Sequence, residues 1–406
     1  MTPSRGSRIA LLVSLVAIRL AVAGLILLRV DLSQSEEYYD EIARNLLDGL
    51  GFTHDPAAGP NLWRAPVYPL FLAGLLALPL PLSVSAPIAQ TVLDAGTSWL
   101  TFRLFRDLGY RSALLAGALT WTNPLLTYYS LRFFSESLFT LLFMATLLLL
   151  HRAVSVPGLT VAGILCGAAA LCRATLGGFP ALVTGWLVYR FREGRRVLAP
   201  AVFIIAFLIT VSPWLWRNYT VSGVPMLGTG AAYNFWLGNH QPTLGLDTDQ
   251  LDPPRARMLE EHVQQLTRGR SRLVPEVQSA FAEAAWAELR GSPWGFVTLL
   301  GRKFGRLWFE VYSPKRQWLQ PLVIPAQAAL LGMCLVGLYL GRSSRAPLGL
   351  VALAIGYFAV LHTLMVATVR YMVPLIPVMS GLAGLTLLHG VDRLRRASRG
   401  RVPAHD

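Results

Sequence analysis

Long apolar stretches separated by short arginine-bearing segments dominate this chain. Residues 9–30, 113–126, 138–150, 197–216, 321–340 and 347–368 approach or reach the roughly 20 residues that cross hydrocarbon. A spanning segment must satisfy its own backbone hydrogen bonds, so the pattern predicts an all-α polytopic membrane protein. The first run follows Arg5 and Arg8 as a signal peptide would. It is too long for one and lacks a small-x-small cleavage site, so a retained helix is expected.

The arginines set the expected topology. They cluster at Arg5/Arg8, Arg103/Arg106/Arg111, Arg152, Arg190/Arg192/Arg195/Arg196, Arg342/Arg345 and from Arg393 to Arg401. Placing every cluster in the cytoplasm obeys the positive-inside rule. About ten transmembrane helices result, at 9–30, 87–105, 112–129, 133–150, 159–174, 179–191, 197–216, 321–340, 347–368 and 372–390, with both termini inside. Residues 67–82, with Pro69, Pro79 and Pro81, are apolar but short. Counting them as a span would invert everything that follows, so they are read as an interfacial segment.

Two long outer loops remain, and three parts of the chain follow from them. Residues 1–216 form an N-terminal transmembrane catalytic module that includes the first outer loop, 31–86. Residues 217–320 form a second outer loop with interfacial helices, among them an amphipathic helix expected at 294–308. Residues 321–406 supply the C-terminal transmembrane helices and a basic cytoplasmic tail.

Composition refines this picture at three points. The chain of 406 residues is 54% hydrophobic and 14% charged, with a mean hydropathy of +0.48. Its net charge of +14 raises the question of nucleic acid. The positive charge falls mostly on the cytoplasmic side, and 16 of the 22 acidic residues lie in the two outer loops, so no nucleic-acid partner is expected. Cys166, Cys172 and Cys334 lie inside apolar runs, where thiols act as small hydrophobes, and show no disulfide framework or zinc spacing. Gly163-x-x-x-Gly167 is read as a close helix contact.

The residues able to do chemistry sit at the outer face. Glu36 and Glu37 open a short amphipathic helix just after the first span. There they act either as a base tuned by desolvation and neighbouring charge or as partners of the helix dipole. Arg64, at the edge of an apolar segment, suits a phosphate through its planar fork or simply snorkels to the interface. Glu136, Arg173 and Arg370 lie near the outer ends of spans, where an ionisable group is costly and marks a functional site. Arg132 is the ordinary partner for Glu136. Arginines beside membrane helices, with acids at the same level, point to an anionic lipid headgroup. His54/Asp55 and Asp247/Asp249/Asp252 offer metal ligands or solvated loop positions, so no metal site is assigned and a divalent cation stays possible.

The order of these motifs resembles the glycosyltransferase C superfamily. It is similar in pattern to the protein O-mannosyltransferases and the lipid A aminoarabinose transferase. The resemblance rests on the acid-Tyr-Tyr-x-x-Ile-Ala-Arg-Asn-Leu-Leu-x-Gly-x-Gly-Phe stretch ending at Phe52 and on Arg-Ala-Pro-Val-Tyr-Pro-Leu-Phe-Leu-Ala at 64–73. It extends to Asn123-Pro124 with Ser135-Glu136, the segment 213–219, Tyr-Asn-Phe-Trp-Leu-Gly-Asn at 233–239, and Arg370-Tyr371-x-x-Pro374. It implies inverting transfer of a sugar from a polyprenyl-phosphate donor to a glycan, lipid or protein acceptor, at the outer face of a bacterial inner membrane.

The resemblance further implies that a first-loop carboxylate is the base and that arginines and the second loop hold the phosphate. Many relatives carry an Asp eight residues before the position of Ala43, where this chain has Ser35; others use a Glu aligned with Glu37. Glu37 is therefore the expected base, with Glu36 the alternative. Arg64, Arg173, Arg302, Lys303 and Arg370 are the expected phosphate ligands, and Glu136 a supporting acid. Tyr39, Tyr233 and Trp236 are expected to contact sugar or carrier. Relatives differ in metal dependence, so no cofactor follows. Two rival readings are a surface-polysaccharide polymerase or ligase leaning on His240 or His262, and a lipid or solute transporter.

Overall fold

The computed structural model describes residues 5–28, 37–191, 194–246, 250–272, 274–309, 320–342 and 348–399. Among these the regular structure is helical throughout. The first half holds α1 (Arg5–Leu27), α2 (Tyr39–Leu47), α3 (Val67–Leu76), α4 (Leu82–Asp107), α5 (Ala113–Trp121), α6 (Pro124–Ser130), α7 (Glu136–Arg152), α8 (Val156–Cys172) and α9 (Phe179–Arg190). After α10 (Leu198–Ser222) the second outer loop contributes α11 (Ala231–Asn239), α12 (Pro253–Thr267), α13 (Gln278–Gly291) and α14 (Pro293–Phe309). The chain closes with α15 (Gln320–Gly341), α16 (Gly349–Leu364) and α17 (Ile376–Arg399), the last preceded by a 3-10 segment, Val369–Leu375.

Each of the ten expected spans contains a helix. Three described helical stretches, Leu198–Ser222, Val323–Gly341 and Val369–Arg396, are long and apolar enough by themselves to cross a membrane. The segment expected at 112–129 is broken in two. The Asn123 side chain accepts from the backbone N–H groups of Leu125 and Leu126 and starts α6, with Pro124 at its first position. The short run read as interfacial forms α3, whose ten residues extend only about 15 Å, half a hydrocarbon thickness.

Packing follows residue size. A Cβ added to Gly163 would fall 2.4 Å from the Phe203 carbonyl, and one on Gly167 would fall 2.6 Å from Thr210 Cβ. The two glycines therefore let α8 lie directly on α10, as the small-x-x-x-small spacing predicts. One apolar core runs through α4, α7, α8, α10, α16 and α17. A separate small core in the second outer loop gathers Tyr233, Trp236, Leu259, Val263 and Phe281 from α11, α12 and α13.

Arg111, Arg152, Arg190 and Arg195, from four of the basic clusters, meet partners at one set of helix ends. Arg152, at the end of α7, pairs with Asp107 at the end of α4, and Arg190 reaches the His151 carbonyl at 2.6 Å. The loops 37–66 and 223–309 lie toward the opposite helix ends.

A buried ion pair, not anticipated from the sequence, fixes α1. Arg19 and Asp94 are 3% and 1% exposed, midway along α1 and α4, with an Nη2–Oδ2 distance of 2.5 Å. Arg19 also donates to Ser130 Oγ at 2.8 Å and to the Trp121 carbonyl at 3.0 Å. Each is a single charge inside an apolar run, which only a partner at the same depth makes tolerable. Arg19→Leu should destabilise the protein by about 3–5 kcal/mol by stranding Asp94, and adding Asp94→Leu should restore most of the loss. Thermal unfolding in detergent of the single and double variants measures both effects.

Candidate active site

Five charged side chains from separate parts of the chain converge beside the start of α7 and the end of α8. Glu37 arrives from the segment leading into α2. Its neighbour Tyr38 has φ 61° and ψ 17°, a left-handed conformation that costs a non-glycine residue roughly 1–2 kcal/mol. Strain of this kind gathers at functional sites. The apolar face of α2 (Tyr39, Ile42, Ala43) packs on α3, with the Tyr39 and Tyr68 rings edge to face at 4.9 Å. Tyr39 thus flanks the cluster as part of its wall.

Arg64 is aimed by its own surroundings. Its backbone N–H donates to Asn61 Oδ1 at 2.9 Å, and its guanidinium lies 4.3 Å from the Trp63 ring centroid and 5.0 Å from that of Tyr39. From there Nη1 sits 3.1 Å from Glu37 Oε2, and Nε donates to the Glu37 carbonyl at 3.2 Å.

Glu136 opens α7 and is fully buried. Its Oε1 accepts from Arg173 Nη1 at 2.5 Å and from Arg370 Nε. Its Oε2 makes no hydrogen bond among the described residues. Arg173 follows directly on α8, where the backbone turns extended and ends the helix. Arg370 is the second residue of the 3-10 segment before α17 and lies 4.2 Å from the Phe134 ring centroid. It holds both acids at once, Glu136 through Nε and Glu37 through Nη1. Tyr371 beside it stacks on His362 at 4.3 Å with the rings 6° from parallel.

The cluster therefore holds three guanidiniums against two carboxylates and keeps one net positive charge at neutral pH. Burial alone would raise the Glu37 pKa, but Arg370 and Arg64 outweigh it and hold the carboxyl well below the usual range. The sign of its pH dependence follows. A carboxylate depressed in the folded state adds stability that is complete above the ordinary glutamate pKa of about 4.3 and is lost as pH falls toward the folded value. Glu37→Gln should therefore flatten the acid limb of thermal stability, measured in detergent between neutral and strongly acidic pH.

The remaining expected residues lie elsewhere. Glu36 lies outside the described residues, as do Asp247 and Asp249. Arg302 is exposed on α14. Lys303, the next residue, is fully buried, and its ammonium donates to Asn239 Oδ1 at 2.8 Å and the Leu364 carbonyl at 3.3 Å. Burial, with Arg306 adding to it, lowers its pKa to about 7. Tyr233 and Trp236 are buried in the core of the second outer loop, where Tyr233 Oη accepts from Arg272 Nη1 at 2.7 Å. Periodic aromatics mark a loop core as readily as a sugar platform.

Among the described residues no group of three or more His, Cys, Asp or Glu is placed to hold a metal. Asp55 and Asp252 cap helices, and His54 Nδ1 lies 3.1 Å from Asn61 Nδ2.

His240 and His262, which the sequence singles out, join Glu288, which it does not, in a hydrogen-bonded chain in the second loop. Glu288 Oε1 lies 2.7 Å from His240 Nδ1 and accepts from Trp236 Nε1 at 3.1 Å; His240 Nε2 lies 3.2 Å from His262 Nδ1. An ionised carboxylate only accepts, so His240 carries its proton on Nδ1. The signal was indirect: two histidines in a loop otherwise rich in Arg, Glu and Gln. The segment at 213–219 also gains a role. Arg217 Nη1 donates to the Asn61 carbonyl at 2.8 Å, tying α10 to the turn that aims Arg64.

The model of the dolichyl-phosphate-mannose-protein mannosyltransferase family matches residues 63–216. No curated protein matches the chain. The matched stretch carries three of the five clustered residues, Arg64, Glu136 and Arg173. The match covers less than half of the chain and agrees with its resemblance to the glycosyltransferase C superfamily.

Proposed function

We propose that the chain transfers a sugar from a polyprenyl-phosphate donor to an acceptor hydroxyl at the outer face of a bacterial inner membrane. The observation that carries this reading is the sharing of Arg64 and Arg370 between Glu37 and open charge capacity: three guanidiniums face only two acids. A phosphate monoanion or diester fits the excess, since planar forks bind its oxygens bidentately.

Donor binding then changes the state of Glu37. As the phosphate draws Arg64 and Arg370 toward itself, the carboxylate loses the cations that depress its pKa and becomes a competent base. It takes the proton of the acceptor hydroxyl while the acceptor oxygen bonds to the anomeric carbon. The bond from that carbon to the phosphate oxygen breaks on the opposite face, which inverts the centre. The phosphate leaves with its electron pair, and the arginines stabilise the charge that gathers there. Glu136, buried and bound to Arg173 and Arg370, keeps the cations in register throughout.

Purified protein incubated with labelled polyprenyl-phosphate sugars and a total-membrane acceptor pool tests this. Transfer from a lipid-phosphate sugar, and none from nucleotide sugars, is the expected result; the reverse pattern overturns it. One observation favours a second reading, a surface-polysaccharide polymerase or ligase: the Glu288–His240–His262 chain orients the His240 ring with Nδ1 toward a carboxylate. Under that reading His240→Gln, and not Glu37→Gln, abolishes transfer.

A further inference from the structure

Lys303 is a fully buried cation that the proposed chemistry leaves unused. Among the described residues its ammonium meets only neutral oxygens, Asn239 Oδ1 and the Leu364 carbonyl. Arg306, the next basic residue on the same helix, donates instead to the Leu244 carbonyl. A buried lysine that meets only neutral oxygens among the described residues is costly and needs a reason.

The reason lies in what its acceptors belong to. Leu364 is the last residue of α16, and its carbonyl is one of those a helix leaves without an internal partner. A cation is favoured at that end of the dipole. Asn239, the last residue of α11, donates to the same carbonyl at 2.9 Å and to the Phe235 carbonyl at 2.7 Å. Beside it α11 touches the chain beyond α16 directly, because a Cβ on Gly238 would fall 2.3 Å from the Met365 carbonyl. Four residues past Met365 the 3-10 segment begins, and Arg370 is its second residue. On the other flank His362 of α16 stacks on Tyr371. The short chain between α16 and Arg370 is thus gripped from both sides.

We propose that Lys303 is a positioning residue: it fastens the second outer loop to the end of α16 and so sets where Arg370 stands between Glu37 and Glu136. The inference rests on reading that cluster as the phosphate site. It also makes the second outer loop, and not only the membrane helices, a determinant of donor binding.

The test uses the full chain in detergent, with Lys303→Met, Lys303→Arg, Asn239→Ala and Arg370→Lys. Amide hydrogen exchange over 365–375 should rise roughly tenfold in Lys303→Met, and Lys303→Arg should recover part of the protection. Affinity for polyprenyl monophosphate should fall about tenfold in Lys303→Met, with little further loss in an Arg370→Lys background. If Lys303→Met does not fold, Asn239→Ala removes the same acceptor and carries the same expectations. Unchanged exchange over 365–375, or losses in affinity that simply multiply, overturns the proposal. Wild-type protein that does not bind polyprenyl monophosphate removes the donor reading, while the exchange result still decides whether Lys303 holds this segment.

Discussion

Glu37→Gln should lower sugar transfer by about 10²–10⁴-fold while leaving donor affinity unchanged or tighter. The rate loss is that of a general base removed from a positioned proton transfer. The affinity follows from the ion pairs. Glu37 occupies Arg64 at 3.1 Å and one arm of Arg370, so in the free enzyme it competes with the donor phosphate for those guanidiniums. Glutamine keeps the shape and removes the competing charge. A carboxylate whose only work was structural would give a different result, because losing it would weaken donor binding and turnover together. Steady-state kinetics alongside direct binding of polyprenyl monophosphate separates the two outcomes.

Arg370→Lys should reduce transfer by about 10²–10³-fold, the cost of losing one preorganised charge at a developing anion. Lysine keeps the charge but offers a point donor where the arginine holds Glu136 through Nε and Glu37 through Nη1 together. Arg370→Ala should do more, because Glu136 is fully buried and would keep Arg173 alone. That variant is expected to lose about 3 kcal/mol or more of stability, the penalty for breaking a buried charge network. Thermal unfolding in detergent checks the second effect, and transfer assays on folded Arg370→Lys check the first. An Arg370→Lys variant with wild-type turnover would remove Arg370 from the chemistry.

Much of this arrangement was legible in the chain. Glu37, Arg64, Glu136, Arg173 and Arg370 stand out as charged residues at the outer ends of apolar runs, and they are the five that meet. The cost of burying a charge is written in its sequence context, so the positions were readable. Their pairing was not. Glu136 takes Arg173 and Arg370, which are 37 and 234 residues away, and only tertiary packing sets that choice.

The same limit hid the Arg19–Asp94 pair. Each was a single charge in a helix, and nothing local to either names the other. Lys303 is placed differently from the polar face that the sequence suggests. A basic residue on an amphipathic helix reads as a solvated phosphate ligand, yet this one faces inward because α11 and the end of α16 supply its oxygens. Arg302, one residue earlier, takes the exposed side. Tyr233 and Trp236, expected to contact sugar or carrier, lie in the buried core of the second loop.

The account turns on Glu37 being held by the arginines until a lipid phosphate takes its place. Its most direct test measures transfer from a panel of labelled polyprenyl-phosphate sugars by wild type and Glu37→Gln, with donor binding recorded on the same preparations. Wild type is predicted to transfer from at least one donor, and Glu37→Gln to bind that donor undiminished without turning it over. Full transfer by Glu37→Gln, or loss of donor binding in that variant, would contradict the account.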